Sequence, residues 1–287
     1  EAVDIPIIIY ALLILISTIT SIDPSGSFRD LAIHFTAIGF VLVVINNIQT
    51  KEDFNILVTF LVIAATLVAL YGLYQYKVGV EMEDKWVDAV NNPDIKTRVY
   101  SVFGNPNILA EYLIMIIPIS AALFWYSKKI HKKAIFLITS LILTIALVLT
   151  LSRGGWVGFA FGIFIFIILI EKKLLLALIP IALLGIYFLP QSIINRILTI
   201  GNLGDSSNAY RIRLWKITLE IIRDNWLVGV GFGYIPFKTT FETYIRTMPA
   251  YHSHNTYLQT MGEMGILGLI VFVMFIFVLY KYAIKRL

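Results

Sequence analysis

Two histidines in the run His252-Ser253-His254-Asn255-Thr256-Tyr257-Leu258-Gln259 stand just before Gly262, Gly265 and Gly268 and an apolar stretch from Ile266 to Tyr280. Imidazole is the side chain best matched to taking a proton near neutral pH. The helix that follows is long enough to cross a bilayer. A proton-accepting group is therefore placed at a membrane surface, where a lipid-linked substrate could meet a water-soluble one. Spacing and topology leave His252 and His254 as equal candidates. His131, inside a basic knot, reads as inert, and His34 reads as packing.

Arginines supply the complementary chemistry. Residues 208–224 read as an amphipathic helix opened by Asp205-Ser206-Ser207-Asn208. At about 100° per residue, Ile212, Leu214, Trp215, Ile217, Leu219, Ile221 and Ile222 cover one broad face, and Arg213, Lys216, Glu220, Arg223 and Asp224 cover the other. Arg211 falls within the apolar face, beside Trp215 and Thr218. A buried charge without a partner is strongly destabilising, so Arg211 must meet either a carboxylate or an anionic ligand. Arg213 reads as solvated.

Arg153 lies in Leu151-Ser152-Arg153-Gly154-Gly155-Trp156, between two spans with almost no loop. The glycines permit a tight turn and let a ligand approach the backbone. The competing reading is an arginine that snorkels to lipid phosphates.

In the stretch from Arg98 to Glu111, Asn107 and Glu111 are one turn apart on a shared face. Ionisable groups in spans are functional candidates. Glu263 is another, or else the partner of a buried arginine. The spacing of Gly262, Gly265 and Gly268 favours close helix packing. Glu81, Glu83, Asp84 and Asp88 could gather a divalent cation, but Lys85 interrupts them and no histidine accompanies them. That group reads as a solvated loop, and no metal and no cofactor are expected.

These residues need a membrane scaffold. The chain has 287 residues, 59% apolar and 14% charged, against roughly 25% charged in soluble domains. Repeated apolar runs between short charged knots imply helices rather than a barrel. Cysteine is absent, which removes disulfides and thiolate metal sites. Glu1 in place of Met reads as a fragment or a processed form, and residues 6–22 lack the basic start of a signal peptide.

The expected fold is all-α: one polytopic helical bundle over 1–287 with eight spans, at about 6–22, 31–48, 54–76, 107–126, 134–152, 155–170, 174–189 and 256–280. Eight spans put Lys51, the knot Ser127–Lys133, Glu171-Lys172-Lys173 and the tail from Lys281 on one side, which the positive-inside rule makes cytoplasmic. The loops 77–106 and 190–255 then face outward, with Arg153 and His254. The second loop is long enough to require structure of its own, so it is expected to be partly helical. It carries Arg196, Arg211, Arg213, Lys216, Arg223, Lys238 and Arg246 against Asp205, Glu220, Asp224 and Glu242. That excess of positive charge suits an anionic substrate, or simply a solvated loop.

Four segments together resemble the O-antigen ligase and polymerase superfamily: Arg98 to Glu111; Leu151 to Trp156; Arg211-Ile212-Arg213-Leu214-Trp215 leading to Val228-Gly229-Val230-Gly231-Phe232-Gly233; and His254-Asn255 through Gly268. They occur in the family's order and cover about 98–275. The resemblance implies a GT-C-like membrane glycosyltransferase at the outer face of the bacterial inner membrane. Its donor would be a glycan on undecaprenyl diphosphate, and its acceptor a glycan, lipid or protein hydroxyl. Membrane lipids would be its surroundings, and nucleic acid would have no part.

Carried over residue by residue, Arg153 and Arg211 would hold the diphosphate and His254 would act on the acceptor hydroxyl. Arg98, Asn107, Glu111, His252 and Asn255 would be secondary. The family's His-Asn pairing is what favours His254 over His252. Planar arginines suit the charge that grows on a departing diphosphate, so a metal is dispensable and attack opposite the leaving group would invert the anomeric carbon. Two other readings stand beside this one: a transporter of a small anion or polysaccharide, and a non-catalytic assembly subunit.

Overall fold

In a computed structural model, the structure describes residues 4–80, 95, 97–176, 180, 184, 185, 187, 189–201, 206–248 and 250–285. Among them the regular elements are helical: α1 (Asp4–Ile19), α2 (Pro24–Asn47), α3 (Lys51–Val78), α4 (Pro106–Tyr126), α5 (Ile130–Leu149), α6 (Arg153–Glu171), α7 (Gln191–Leu198), α8 (Ser206–Asp224), α9 (Tyr234–Tyr244) and α10 (Thr256–Lys285). Six of these, α2 to α6 and α10, are long and apolar enough to cross a membrane, and α1 is a shorter apolar helix. Half of the expected span 174–189 lies outside the described residues, as do the acidic group Glu81 to Asp88 and much of the loop 77–106.

Helix ends follow local chemistry. Thr50 and Asp53 form a reciprocal capping box that starts α3 at Lys51. Asn105 caps α4, with Pro106 at the first helical position, where a missing N–H costs nothing. The expected span from 31 begins instead at Pro24, because the polar residues ahead of it supply a cap rather than a loop. Asp23 accepts from the backbone N–H of Gly26 at 2.9 Å and from the hydroxyl of Ser25 at 2.8 Å.

The chain divides into two compact units: Ile48–Asp205, and Glu1–Asn47 with Ser206–Leu287. In the middle unit α3, α4 and α5 pack around Val62, Ala65, Ala69, Leu109, Leu113, Ile117, Leu143 and Leu147. The small residues Ala65, Ala69 and Gly72 bring α3 close to its neighbours, which is how helices associate where lipid removes the hydrophobic drive. Ser120 of α4 and Ser140 of α5 share a hydrogen bond of 2.8 Å across that contact.

In the terminal unit α8 and α9 bury Leu214, Ile221, Phe237 and Phe241 together with Val230 and Met248. The buried face of α8 is Leu214, Thr218, Ile221 and Ile222. Leu219, expected on that face, is exposed.

The last span is not one continuous helix. Within α10, Gly265 leaves helical geometry at φ 67 and ψ −166. The irregular glycine-rich segment after α8 fills the break. Val230 N–H donates to Gly262 O at 2.9 Å, Gly231 N–H to Glu263 O at 3.1 Å, and Ile266 N–H to Trp226 O at 2.9 Å. Backbone groups freed in an apolar setting must find such partners. A Cβ at Gly265 would strike the backbone of Leu227, and one at Gly229 would strike that of Glu263. Gly265 therefore serves a backbone crossing rather than the helix-on-helix contact its spacing suggests.

Candidate functional site

The candidate residues fall into two groups, one in each unit. In the middle unit Arg98 is placed by a short irregular segment that α3 holds down. The buried Gln75 accepts from the backbone N–H groups of Tyr100, at 3.2 Å, and Ser101, at 2.7 Å, and donates to Ser101 O at 3.2 Å. Val99 N–H donates to Leu149 O at 3.2 Å. Arg98 Nε is thereby brought to Thr150 O, at 2.8 Å, where the end of α5 leaves a carbonyl without a helical partner. A second Arg98 nitrogen donates to Asn107 Oδ1 at 3.2 Å.

The α5–α6 connection presents Arg153. Its left-handed residue is Leu151, at φ 52, and not a glycine. Ser152 caps α6 by accepting from Gly155 N–H. Gly155 is there for packing, since a Cβ would lie 2.7 Å from the Ala110 side chain, while Gly154 has open space around it. Arg153 begins α6, at the positive end of its dipole, and donates to Thr199 O at 3.1 Å and Thr199 Oγ1 at 3.0 Å.

Arg196 joins them. It is 8% exposed, on the same face of α7 as Ile193, and its Nε reaches toward Leu151 O at 3.5 Å. Arg98 is 4% exposed. Burial first, and then the charges of Arg196 and Arg153, push the Arg98 guanidinium down to about 10. Arg98 therefore feels both of the other guanidinium groups within this unit. Sequence reasoning treated Arg196 only as part of the charge of its loop. The signal was the one that marked Arg211: an arginine three residues from Ile193, on the apolar face of a short helix. Glu111 is exposed on α4.

In the terminal unit the histidine loop is built around a buried serine. Ser253 is fully buried between exposed His252 and His254. Its N–H donates to Gln259 Oε1 at 2.6 Å, its hydroxyl to Asn255 O at 2.8 Å, and its carbonyl accepts from Trp215 Nε1 at 2.9 Å. Asn255 caps α10 by accepting from Tyr257 N–H at 3.1 Å and Leu258 N–H at 3.2 Å, so its side chain works for the helix start. His254 sits at φ 53, a left-handed conformation that non-glycine residues seldom adopt without reason.

The rings of His252 and His254 lie edge to face with centroids 4.1 Å apart, and Tyr210 is 6.4 Å from His254. Partial burial of its ring, then His252, then Arg211 push His254 down from 6.5 to about 4, although the residue keeps an exposed edge. The imidazole is thus neutral, with a lone pair, at neutral pH. Arg211 is half-buried and Arg213 exposed, as the helical phase of α8 dictates. Glu263 does not meet an arginine: its carboxylate accepts from Gln259 Nε2 at 2.7 Å. His34 packs edge-on against Phe232, with centroids 4.7 Å apart. Among the described residues no group of three or more His, Asp or Glu side chains could hold a metal ion.

A family model described as O-Antigen ligase matches residues 138–273. Residues 138–273 are thus similar to that family. The matched segment contains Arg153, Arg196, Arg211, His252, His254 and Asn255, while Arg98, Asn107 and Glu111 precede it. An uncharacterized protein of Haemophilus influenzae is 29% identical over 203 residues, covering 62% of this chain and 49% of the relative. The exopolysaccharide production protein ExoQ of Rhizobium meliloti is 32% identical over 98 residues, covering 31% of this chain and 22% of the relative. The chain thus spans about half the length of the first of these curated relatives and less of the second. No solved structure matches.

Proposed function

We propose that the chain is a membrane glycosyltransferase of GT-C type, working at the outer face of a bacterial inner membrane. It transfers or polymerises a glycan from undecaprenyl diphosphate onto a hydroxyl of a glycan, lipid or protein acceptor. The observation that most supports this is the pinned histidine turn, with exposed His254 at φ 53 against His252, just ahead of an apolar helix and inside the segment that matches the O-antigen ligase family.

The acceptor oxygen attacks the anomeric carbon as the bond to the diphosphate oxygen breaks. The acceptor proton passes to the His254 ring. The electron pair leaves on undecaprenyl diphosphate, whose growing charge is assigned to Arg153 and Arg211. Arginine carries that load without a metal, and in-line displacement inverts the anomeric centre. The relative from Rhizobium, by its printed name a protein of exopolysaccharide production, supports the substrate class.

The test is mass spectrometry of products from a defined undecaprenyl-diphosphate oligosaccharide, with and without candidate acceptors. Wild type should extend or transfer the glycan, and His254→Ala and Arg153→Ala should each abolish this. Full activity in both variants would remove the mechanism.

One observation favours a second reading. A discontinuous span with a buried carboxylate, as at Gly265 and Glu263, is a device that transporters use to bind ions. Flux of an anion into vesicles without chemical turnover would favour that reading.

A further inference from the structure

We propose that Glu263 is a positioning residue that acts through Gln259 and Ser253 to hold the His254 loop in register with Arg211. The inference rests on the reading of His254 as the base.

Four residues carry it. Glu263 is 9% exposed in an apolar helix, an expensive place for a carboxylate. The backbone N–H of Ser253 can only donate, so Gln259 Oε1 faces the loop and Nε2 is left to donate to Glu263 at 2.7 Å. Gln259 Oε1 accepts from Ser253 N–H at 2.6 Å. Ser253 O in turn accepts from Trp215 Nε1, at 2.9 Å. Trp215 stands one turn after Arg211 on α8. The chain of contacts thus runs from α10 through the loop to the helix that bears the arginine.

The other end of Glu263 is equally fixed. Its backbone carbonyl accepts from Ser17 Oγ at 2.8 Å and from Gly231 N–H at 3.1 Å, at the break in α10. Glu263 is thereby tied to α1, to the glycine-rich segment and to the histidine loop. A loop whose working residue sits at φ 53 needs such anchoring, because the left-handed conformation is not self-sustaining. Ser253 is thus pinned on both sides, between exposed His252 and His254.

The experiment uses the whole chain and two readouts. The first is release of undecaprenyl diphosphate from the defined donor. The second is the titration of the His254 ring followed by NMR, which needs no substrate. Gln259→Leu removes the acceptor for Ser253 N–H. It should lower kcat by about tenfold to a hundredfold, the scale of a small misplacement of a reacting group, and leave the donor KM within about twofold. The His254 titration should move from about 4 toward 6.5 as the ring relaxes.

Glu263→Ala should behave alike, and the double variant should be no worse than either single, because both cut one chain. Glu263→Gln keeps an acceptor oxygen and should retain most turnover, which also shows that the site tolerates substitution. Wild-type turnover in Gln259→Leu, an unmoved His254 titration, multiplying losses in the double variant, or equal loss in Glu263→Gln and Glu263→Ala would each overturn the inference. His254→Ala in parallel separates the two ideas: if it is fully active the catalytic reading fails, and if it is inactive while Gln259→Leu is normal only the positioning role fails.

Discussion

Arg98 and Arg196 of the middle unit are nearly sealed from solvent, whereas His252 and His254 of the terminal unit are exposed. The contrast follows from what each side chain can do. A guanidinium keeps its charge even when crowded by others, so it can be buried and held by helix-end carbonyls such as Thr150 O. An imidazole surrenders its proton readily. In the proposed role it stays accessible to a substrate hydroxyl, and its environment decides its charge. The middle unit thus presents fixed charge on rigid helix ends. The terminal unit presents a pair of imidazoles on a tightly pinned turn.

The sharpest way to break this contrast is to remove the base. His254→Ala should lower turnover by about 10²- to 10⁴-fold, and His252→Ala by much less, measured as undecaprenyl diphosphate released from the defined donor. Equal losses would mean that the pair acts as one. On the other side, Arg153→Lys keeps the charge but loses the planar fork. A loss of about 10²-fold with a normal far-ultraviolet spectrum is expected. Unchanged turnover would reduce Arg153 to a membrane anchor.

Acidity tests the same contrast, because the guanidinium groups keep their charge in acid while the His254 ring changes its own. His254 binds its proton only when pH falls through about 4. The acid limb of kcat/KM should therefore lie near that value rather than near 6.5, and His252→Ala should move it upward by removing one of the neighbouring positive charges. A limb that stays near 6.5 in wild type would show that the ring is not under these influences.

Glycines separate structure from site. Gly265→Ala should destabilise the protein by about 1–3 kcal/mol from backbone strain alone, with the clash against Leu227 added, seen as a lower melting temperature in detergent. Gly154→Ala, beside Arg153 but with open space around it, should shift stability by less than about 0.5 kcal/mol. Arg213→Ala should be smaller still in its effect on turnover.

Much of this fold was legible in the sequence. Apolar runs flanked by basic knots mark α3 to α6 within a few residues, since bilayer thickness and helical rise leave little freedom. The phase of α8 separates Arg211 from Arg213 without any structure. What could not be read depends on partners distant in sequence. Gly265 looks like a packing glycine until the segment Trp226–Gly231 is seen crossing it. Gln75 reads as one polar residue in a span, yet it holds the segment that delivers Arg98. Arg196 was visible on the face of a short helix, but eight residues offer too little periodicity to weigh.

The division of the chain also has a consequence for its synthesis. The terminal unit is assembled from residues before 48 and after 205. On the ribosome, α1 and α2 emerge long before α8 and α10, while the middle unit has all its parts in one uninterrupted stretch. The middle unit can therefore close first. The glycine-rich segment is made before α10, so the groove that receives the interrupted helix awaits it. The histidine loop precedes α10 in the chain and its anchor Gln259 lies on that helix, so the loop is pinned only once α10 has formed.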